Sequence, residues 1–560
     1  MSSYLVLSRA VGSFTDEGAP GDGLMVAVRL PDLASPLRGG RPLAAGDRSA
    51  LVVAGTERIR TGEAVVFLKV VAVVPAQVRR DGQVQAQGSP AAHATLGPLE
   101  DWLEAQAGPG VIDAVAERAV LRRQYVKGER ERLLTRAFML RAIVLMTLVP
   151  DAGIREAVSA LAGDLALVPW ARAWVPASAR ACGDWRSALG PEPLEELRDI
   201  VLEASGREHE ARGWCEAGAG GLTVCSLDGT LMRVPDTPAN RAAFGSVGTA
   251  DDSSPFPQVR ALPLSNVSTR ALLGMTHGPA GGGTGKAAGE QKLLDEAMQA
   301  YPGLFAKDRL WLADRNFPGT ARLARLIART HVLIRLKSDI PLRRVSPILA
   351  DGSYLADLSG DGLTIRVRVI EYFADVEGQD VPEMFCLVTD LTDIRRHPAP
   401  QLAALCKWRW DGSETALREA KASLDGAGPG TGPMLRSGSP SLVRQELAAW
   451  AAATEMTRGV ARDAALAAAP ARKGRRAGQP VRPREISHTA ARRAVTAAIR
   501  AGHACYQALT SEIARCRTIV DRNRHRARKS KSPSSFGHAT AKDTATRIAP
   551  AVITMANTPA

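Results

Sequence analysis

The sequence predicts an α/β protein made of several domains. Short apolar runs, such as Leu222 to Leu227 and Leu310 to Ala313, have the length and composition of buried strands. Longer stretches with apolar residues at helical spacing lie on both sides of them. With 560 residues and 45% hydrophobic content, the chain is long enough for two to four globular domains.

Residues 1–93 form an N-terminal extension for which the sequence indicates no function. Val65 to Val74 is predicted to be a strand among many turn residues, and Gln83 to Ala94 is predicted to be a linker. Two interpretations stay open: a small added domain, or an upstream extension produced by a wrongly chosen start codon.

Residues 94–215 are predicted to form a helical domain. The segments VIDAVAERAVLRRQYV and RLLTRAFMLRAIVLMTLV have helical spacing, and Pro150 ends the second. Two further helical segments, IREAVSALAGDL and SARACGDWRSALG, flank a connection that contains Trp170, Trp174 and Pro176. A helical unit that reads DNA and a helical cap on a catalytic core agree with this pattern equally well.

Two aspartates follow predicted strands within residues 216–460. Asp228 comes directly after Leu227, and Asp314 comes directly after Ala313. Acids at strand ends are held on a rigid element at a sheet edge. Two such aspartates and a third carboxylate have the oxygen ligands that hard divalent cations prefer. A pair of these cations stabilises the attacking and leaving oxygens of a phosphoryl transfer.

The third carboxylate lies in the stretch KWRWDGSETALREAK, from Lys407 to Lys421. We predict a helix from Asp411 to Leu424, capped by Asp411 or Ser413. Glu414, Arg418 and Lys421 then share one face, close to Arg409. An acid flanked by bases suits a metal site that also holds phosphates. The alternative is an ordinary ion-paired surface helix.

A β-rich insertion is predicted between Asp314 and Glu414, at about 331–398. A helix at Gly319 to Thr330 precedes the strands HVLIRLK, YLADL, TIRVRVIEYF and EMFCLVTDL. Upstream, HGPAGGGTGKAAGE is predicted to be a flexible loop. It fails the P-loop pattern because Ala280 and Ala287 stand where Gly and Ser or Thr are needed before and after Lys286.

The C-terminal region, residues 461–560, is predicted to be basic, helical and then disordered. A helix capped by Ser439 precedes it, followed by a linker at Ala471 to Arg484, a helix at Thr489 to Leu509, and a disordered tail beyond Asn523. From residue 462 onward there are 20 Lys and Arg against 5 Asp and Glu, so the net charge of +14 arises at this end. This predicts a polyanion partner, and Arg522 to Lys531 is either a phosphate-binding arm or a solubilising tail.

Several classes of protein are disfavoured by composition. The seven cysteines form no CxxC pair, which favours reduced thiols in a cytoplasm over disulfides or a zinc site. The first residues lack the basic and apolar regions of a signal peptide. The longest apolar stretches are interrupted by Lys69 and Arg141, so we expect no membrane span.

The chain resembles the DDE transposases of the insertion-sequence-four family. The resemblance covers several motifs in order: DGTLMRVPDTPAN from Asp228, FPQVRAL, LADRNF around Asp314, CLVTDLTD, LCKWRWDGSETALREAK, and RSGSPSLVRQELAAW. These motifs are spread over more than two hundred residues, so they are far more specific than any single acid.

This resemblance implies a fold, a site and partners. The fold would be an RNase H-like catalytic core with the β-rich insertion, and the helical N-terminal domain would bind the terminal repeats of an insertion element. Asp228, Asp314 and Glu414 would be the catalytic residues and the ligands of two Mg²⁺ ions, with Mn²⁺ as a substitute. Arg409 and Lys421, with Arg418 beside them, would bind DNA phosphates. The partners would be the terminal inverted repeats and the target DNA, bound by a homodimer.

Two positions depart from the family pattern. The family usually has Tyr three residues before the Arg, where this chain has Cys406. It usually has three residues between the Arg and the Glu, whereas four separate Arg409 from Glu414 here. Because a phenol is a better hydrogen-bond donor to phosphate than a thiol, the sequence alone predicts that Cys406→Tyr accelerates strand transfer.

The sequence therefore predicts a cytoplasmic cut-and-paste DNA transposase. The departures at Cys406 and before Glu414 motivate an alternative, a remnant that binds element ends without cutting them. A third interpretation, an RNase H-like nuclease outside transposition, is disfavoured by the resemblance of the N-terminal domain.

Overall fold

The computed structural model describes seven short N-terminal segments, most of the chain between residues 95 and 517, and a short C-terminal segment. The described ranges are 4–6, 9–11, 27–29, 55–61, 64–70, 76–78, 84–86, 95–122, 134–149, 153–162, 177–214, 220–246, 255–281, 289–317, 319–337, 340–375, 383–421, 424, 434–470, 478–501, 505–517 and 552–557. The predicted connection at Trp170 and Trp174, the stretch around Lys286 and the basic run Arg522 to Lys531 lie outside these ranges.

The elements are numbered in chain order. The helices are α1 (Pro98–Ala107), α2 (Val111–Arg118), α3 (Arg136–Leu148), α4 (Ile154–Ala162), α5 (Ala179–Leu189), α6 (Glu192–Arg212), α7 (Pro238–Phe244), α8 (Glu290–Ala300), α9 (Thr320–Arg329), α10 (Ala399–Trp410), α11 (Ala416–Lys421), α12 (Pro440–Ala467), α13 (His488–Ala501) and α14 (Tyr506–Ile513). A π-helical segment, Asp411–Thr415, joins α10 to α11.

The strands are β1 (Tyr4–Val6), β2 (Arg9–Val11), β3 (Ala27–Arg29), β4 (Gly55–Thr61), β5 (Ala64–Val70), β6 (Ala76–Val78), β7 (Val84–Ala86), β8 (Thr223–Leu227), β9 (Thr230–Arg233), β10 (Gln258–Asn266), β11 (Leu272–Pro279), β12 (Arg309–Ala313), β13 (His331–Arg335), β14 (Leu342–Arg344), β15 (Tyr354–Gly360), β16 (Leu363–Asp375), β17 (Glu383–Thr389) and β18 (Val552–Met555). The N-terminal strands pair as β1-β3, β2-β5-β4 and β6-β7. The strand predicted at Val65 to Val74 corresponds to β5.

The chain forms two compact units, each assembled from separate stretches of sequence. The helical unit comprises Met1–Val201, Ser441–Ala468 and His488–Cys516, and the sheet unit comprises Leu202–Pro440, Ala469–Ser487 and Arg517–Ala560. The division into 1–93, 94–215, 216–460 and 461–560 stays a prediction.

The helical unit is built around α12. This helix is rich in alanine and buried along most of its length, and its buried residues include charged side chains as well as apolar ones. Its buried Arg462 forms a 2.7 Å ion pair with Glu455 and lies over the ring of Trp102 in α1. Gly459 packs so closely against Trp102 that a β-carbon at this position would overlap the indole. Residues of α12, which is far from the N-terminal helices in sequence, therefore form part of the core of the helical unit.

The sheet unit contains a large mixed sheet. In the described part of the chain this sheet has eleven strands, in the order β11-β10-β8-β12-β13-β17-β16-β15-β14, with β9 beside β10 and β18 beside β16. The pairs β8-β12 and β12-β13 are parallel, and the remaining pairs are antiparallel. The predicted α/β class is confirmed as a mixed α/β structure with a large mixed sheet.

Both faces of the central strands are buried. In β12, Leu310 and Leu312 pack in the cluster that includes residues of α10, whereas Trp311 and Ala313 pack in the cluster that includes residues of α8 and α9. Because side chains alternate along a strand, helices on both faces need an apolar residue at every position. The continuous apolar run in the sequence reflects this burial on both faces.

The strands of the predicted insertion are present as β13 to β17, and Arg368 of β16 connects them to α10. That these strands form an insertion in a catalytic core stays a prediction. Arg368 is fully buried and donates hydrogen bonds to the carbonyl oxygens of Leu391 and His397, as well as to the Asp351 carboxylate. Asp351 also accepts the backbone N–H of Ala399 at 2.8 Å, at the first residue of α10. A side chain of the insertion thus satisfies a helix-terminal donor.

One expectation for the C-terminal end is wrong. Residues 552–555 form β18, an added strand on β16, although the tail beyond Asn523 is predicted to be disordered. These four residues, three of which are β-branched, form a strand because the edge of the sheet supplies hydrogen-bond partners. None of the helices that the structure describes combines the length and apolar character of a membrane span.

Candidate active site

The two strand-end aspartates lie at the same edge of the sheet. β8 and β12 are neighbouring parallel strands in which Ser226 is opposite Leu312. Asp228 and Asp314 directly follow the ends of these strands. The carboxyl ends of parallel neighbours lie side by side, so two residues far apart in sequence present their carboxylates together.

Glu414 is presented by a helix longer than the sequence predicts. The predicted helix begins at Asp411 with a side-chain cap, but the structure has continuous helical backbone from Ala399 through the π-helical segment to Lys421. The expected cap is therefore wrong. Leu402, Ala403 and Leu405 bury the first part of this helix on the sheet, so packing determines where it begins.

The π-helical segment accounts for the extra residue between Arg409 and Glu414. Residues five apart lie above each other in a π-helix, which has i to i+5 hydrogen bonds. A single inserted residue is therefore absorbed as a local bulge, and Glu414 stays on the side of the helix that Arg409 occupies. Arg409 pairs with Asp228, and its charge opposes the rise that burial causes in the pKa of Glu414. The extra residue between Arg409 and Glu414 therefore does not turn Glu414 away from the two aspartates.

Asp228 is partly buried and contacts the helix that carries Arg409. Its Oδ2 lies 3.3 Å from the Arg409 Nη1 and 3.3 Å from the Ser413 hydroxyl, which also donates to the Arg409 carbonyl at 2.7 Å. Burial raises the pKa of the Asp228 carboxyl to about 6, Arg409 opposes this rise, and the charges of Glu290 and Asp314 add to it. The site therefore concentrates negative charge that a cation would relieve.

Glu414 and Lys421 also lie near the end of β8, where Asp228 is found. Burial raises the pKa of Glu414, Asp228 and Asp314 raise it further, and Arg409 and Lys421 lower it. The Lys421 Nζ donates to the Thr230 hydroxyl at 3.0 Å, two residues after Asp228. Two predicted phosphate-binding residues, Arg409 and Lys421, thus flank the acids.

The three acids are close enough to influence one another, but they are not assembled around an ion. Among the described residues, no group of three Asp, Glu, His or Cys side chains lies close enough to hold a metal ion. The chemistry of the donors nevertheless suits a hard divalent cation, because mutually repelling carboxylates are its preferred ligands. Asp314 also accepts the backbone N–H of Arg315 at 2.6 Å, which orients its carboxylate.

Two predicted positions lie apart from the acids. The Arg418 side chain is exposed on α11, outside the group around Asp228. Cys406 packs against the apolar cluster under α10, where burial raises the pKa of its thiol and a hydrogen bond with Tyr372 lowers it. A tyrosine at this position would overpack the cluster. The expectation that Cys406→Tyr accelerates strand transfer is therefore replaced by an expected loss.

Four residues near the acids were not assigned to the site from the sequence, and Ser413 was considered there only as a helix cap. Ser413 and Thr230 contact the site directly, and Glu290 lies so close to Gly229 that a β-carbon there would overlap its carboxylate. Arg260 holds Glu290 through a 2.6 Å ion pair. The DGT and FPQVRAL motifs contain Thr230 and Arg260, so the motifs pointed to these positions without giving their roles.

Comparison with known proteins gives one informative relative. No family model matches the chain. The transposase InsG of insertion sequence element IS4 from Escherichia coli (strain K12) is 25% identical to it over 336 residues, which are 57% of this chain and 68% of the relative. This similarity agrees with the family that the motifs resemble.

A solved structure gives a more distant likeness. The cryo-EM structure of a piggyBac transposase synaptic complex with hairpin DNA is 12% identical, with a TM-score of 0.35, over 80% of this chain and 88% of that chain.

Proposed function

We propose that this chain, whose similarity to InsG supports a transposase of the DDE kind, cuts DNA at the ends of an insertion element and joins them to target DNA. The observation that carries the proposal is the convergence of Asp228, Asp314 and Glu414. Two of these acids end neighbouring parallel strands, and all three interact electrostatically.

The order of the central strands supports an RNase H-like core. An antiparallel set, β11-β10-β8, continues into the parallel strands β12 and β13, and α10 covers one face. In chain order, β8 and β12 are the first and fourth of these five strands, and the acids directly follow them. The proposed site thus lies where a rigid sheet presents carboxylates.

Asp228, Asp314 and Glu414 would hold two Mg²⁺ ions, with Mn²⁺ as a substitute. Such ions, when bound, stabilise the charge on the attacking and leaving oxygens of a phosphodiester. Before binding, the carboxylates repel one another and Arg409 neutralises part of their charge. Because Arg409 already lies 3.3 Å from Asp228, it is placed to exchange this carboxylate for a phosphate oxygen.

The remaining proposed roles concern DNA. Lys421 lies beside Thr230 and would hold a phosphate near the acids, while the exposed Arg418 would contact the backbone farther out. The helical N-terminal domain would bind the terminal inverted repeats, and two copies of the chain would hold two element ends.

Substitution of each acid tests the proposed function. Asp228→Asn, Asp314→Asn and Glu414→Gln should each abolish cleavage of element-end DNA in Mg²⁺ or Mn²⁺ while DNA binding in a gel-shift assay is retained. Glu296→Gln on α8 is the matched control, because its half-exposed carboxylate pairs only loosely with Lys292 at 3.8 Å. Mn²⁺ should raise the melting temperature of the unsubstituted protein, and the acid variants should lose this rise.

Two results would contradict the proposal. A variant that cleaves at the unsubstituted rate would remove that residue from the site. If the unsubstituted protein binds element ends but cuts them with neither cation, the proposed activity is wrong.

A further inference from the structure

The C-terminal strand β18 is attached to the sheet unit by specific contacts. It pairs antiparallel with β16, with Met555 opposite Tyr372 and Thr554 opposite Phe373. Beyond the strand, the backbone N–H of Ala556 donates to the Glu371 carbonyl at 3.0 Å, and Asn557 donates to the Glu371 carboxylate at 3.0 Å.

The two C-terminal side chains of β18 differ in burial: Met555 is partly buried and Thr554 is exposed. Met555 packs against the apolar cluster under α10, to which Cys406 and Trp408 of that helix also belong. Its neighbour Thr554 is exposed. Because side chains alternate along a strand, one residue of this short strand contacts the core while the next contacts solvent.

The cluster connects β18 to the helix that carries Arg409. Tyr372, the register partner of Met555, is buried, stacks on Phe385 at 5.2 Å between ring centroids and hydrogen-bonds to Cys406. Cys406 lies one helical turn before Arg409, so a shift of α10 on this cluster would move the Arg409 guanidinium by a similar distance. The helical backbone continues from α10 through the π-helical segment that contains Glu414.

We infer that β18 positions the catalytic helix and that Met555 is its positioning residue. The strand fills the edge of β16 and completes the surface on which α10 rests. Arg409 and Glu414 then meet Asp228 in the correct register. This inference rests on the proposed function for its effect on rate, but its effect on α10 is independent of any activity.

A matched pair of substitutions tests the inference in the full-length chain. Met555→Ala should increase hydrogen exchange of the amides in residues 399–421 without DNA, whereas Thr554→Ala, on the exposed face, should leave exchange unchanged. In cleavage assays at saturating DNA, Met555→Ala should be about ten- to a hundredfold slower, the cost of a misplaced catalytic group. The DNA concentration that gives half-maximal rate should stay the same. Met555→Leu should show the hydrogen exchange and the cleavage rate of the unsubstituted protein.

The outcomes separate the inference from the proposed function. Unchanged exchange and rate in Met555→Ala would mean that β18 only covers a sheet edge. Equal losses of DNA affinity, rate and melting temperature would indicate a general structural role and would also overturn the inference. If the unsubstituted protein does not cleave DNA, the proposed function is wrong. Hydrogen exchange in residues 399–421 then still tests whether Met555 holds α10 in place. Should Met555→Ala not fold, Asn557→Ala removes one anchor of the strand and should raise exchange in 399–421 in the same way.

Discussion

Gly412 lies where the π-helical segment approaches the end of β8. A β-carbon at this position would stand 2.8 Å from the Ser226 hydroxyl oxygen and 2.8 Å from a methyl carbon of Val267, with the Val267 backbone at 3.2 Å. Contacts this short to a buried strand leave no room for a side chain. The absence of a side chain lets the helix approach Asp228, because Ser226 is only two residues before that acid.

Gly412→Ala should therefore destabilise the protein and slow cleavage. Overpacking of this kind costs about 1–3 kcal/mol, and the displaced helix would slow catalysis by up to about a hundredfold. Urea unfolding and single-turnover cleavage measure the two effects. Gly206→Ala in α6 is the control: its added methyl meets open space, so it should stabilise by about 0.5–1 kcal/mol. Equal behaviour of the two variants would refute the close approach at Gly412.

At the scale of elements, the helix from α10 to α11 is held at both ends. Asp351 of the insertion accepts the first amide of α10 and pairs with the buried Arg368. Near the other end, Arg270 of the β10-β11 turn pairs with Glu419 of α11 at 2.9 Å. The insertion and the sheet therefore fix the helix that carries Arg409 and Glu414.

Asp351→Asn should destabilise the protein by about 3–5 kcal/mol, because it leaves the buried Arg368 without a counter-charge. Burial alone would raise the pKa of Asp351, but hydrogen bonds from Ser353 and Ala399 and the charge of Arg368 outweigh it and lower the pKa below 3.8. The carboxylate thus contributes stability above pH 3.8, which is lost as the pH falls through the folded pKa.

Urea unfolding at neutral and acidic pH checks this prediction. The difference between the unsubstituted protein and Asp351→Asn should be full at pH 7 and should shrink as the pH falls below the ordinary aspartate pKa of 3.8. Asp236→Asn, which breaks an exposed pair with Arg241, should leave stability nearly unchanged, because solvent screens such pairs. A pH-independent difference for Asp351→Asn would show that the substitution removes packing and not charge.

At the scale of the whole molecule, the basic residues are concentrated after residue 461. The run from Arg522 to Lys531 contains six Lys and Arg and lies outside the described residues. Its neighbours in the described chain, Arg517 and β18, both belong to the sheet unit. Substitution is therefore a better test of this run than deletion, because it keeps the connection to β18 at its full length.

Replacing the six basic residues of this run by Gln should weaken binding to all DNA sequences alike. The slope of log affinity against log salt should become shallower by about 0.9 for each DNA phosphate that the run no longer neutralises. Filter binding over a range of salt concentrations measures the slope. A second variant with Lys at the four Arg positions retains the charge and should keep the original slope. An unchanged slope in the Gln variant would identify the run as a solubilising tail.

Local patterns in the sequence determined much of the proposed site. The apolar runs before Asp228 and Asp314 predicted the strands and the position of both acids at their ends, because burial on both faces requires apolar residues at every position. The insertion strands are also found where their apolar and β-branched residues predict them. Glu414 was selected by its spacing to Lys421, and it lies near both aspartates.

Only the tertiary structure decided how the helix that carries Glu414 is held. Its true beginning at Ala399, the π-helical segment and the close approach of Gly412 depend on packing against a distant strand. Asp228 and its partner Arg409 are 181 residues apart, and Glu371 and Asn557 are 186 residues apart. Helix and strand propensities depend on residues that are close in sequence, so they cannot predict contacts between residues this far apart. The short strand β18 has too few residues to be stable alone, so it forms because the folded sheet offers it an open edge.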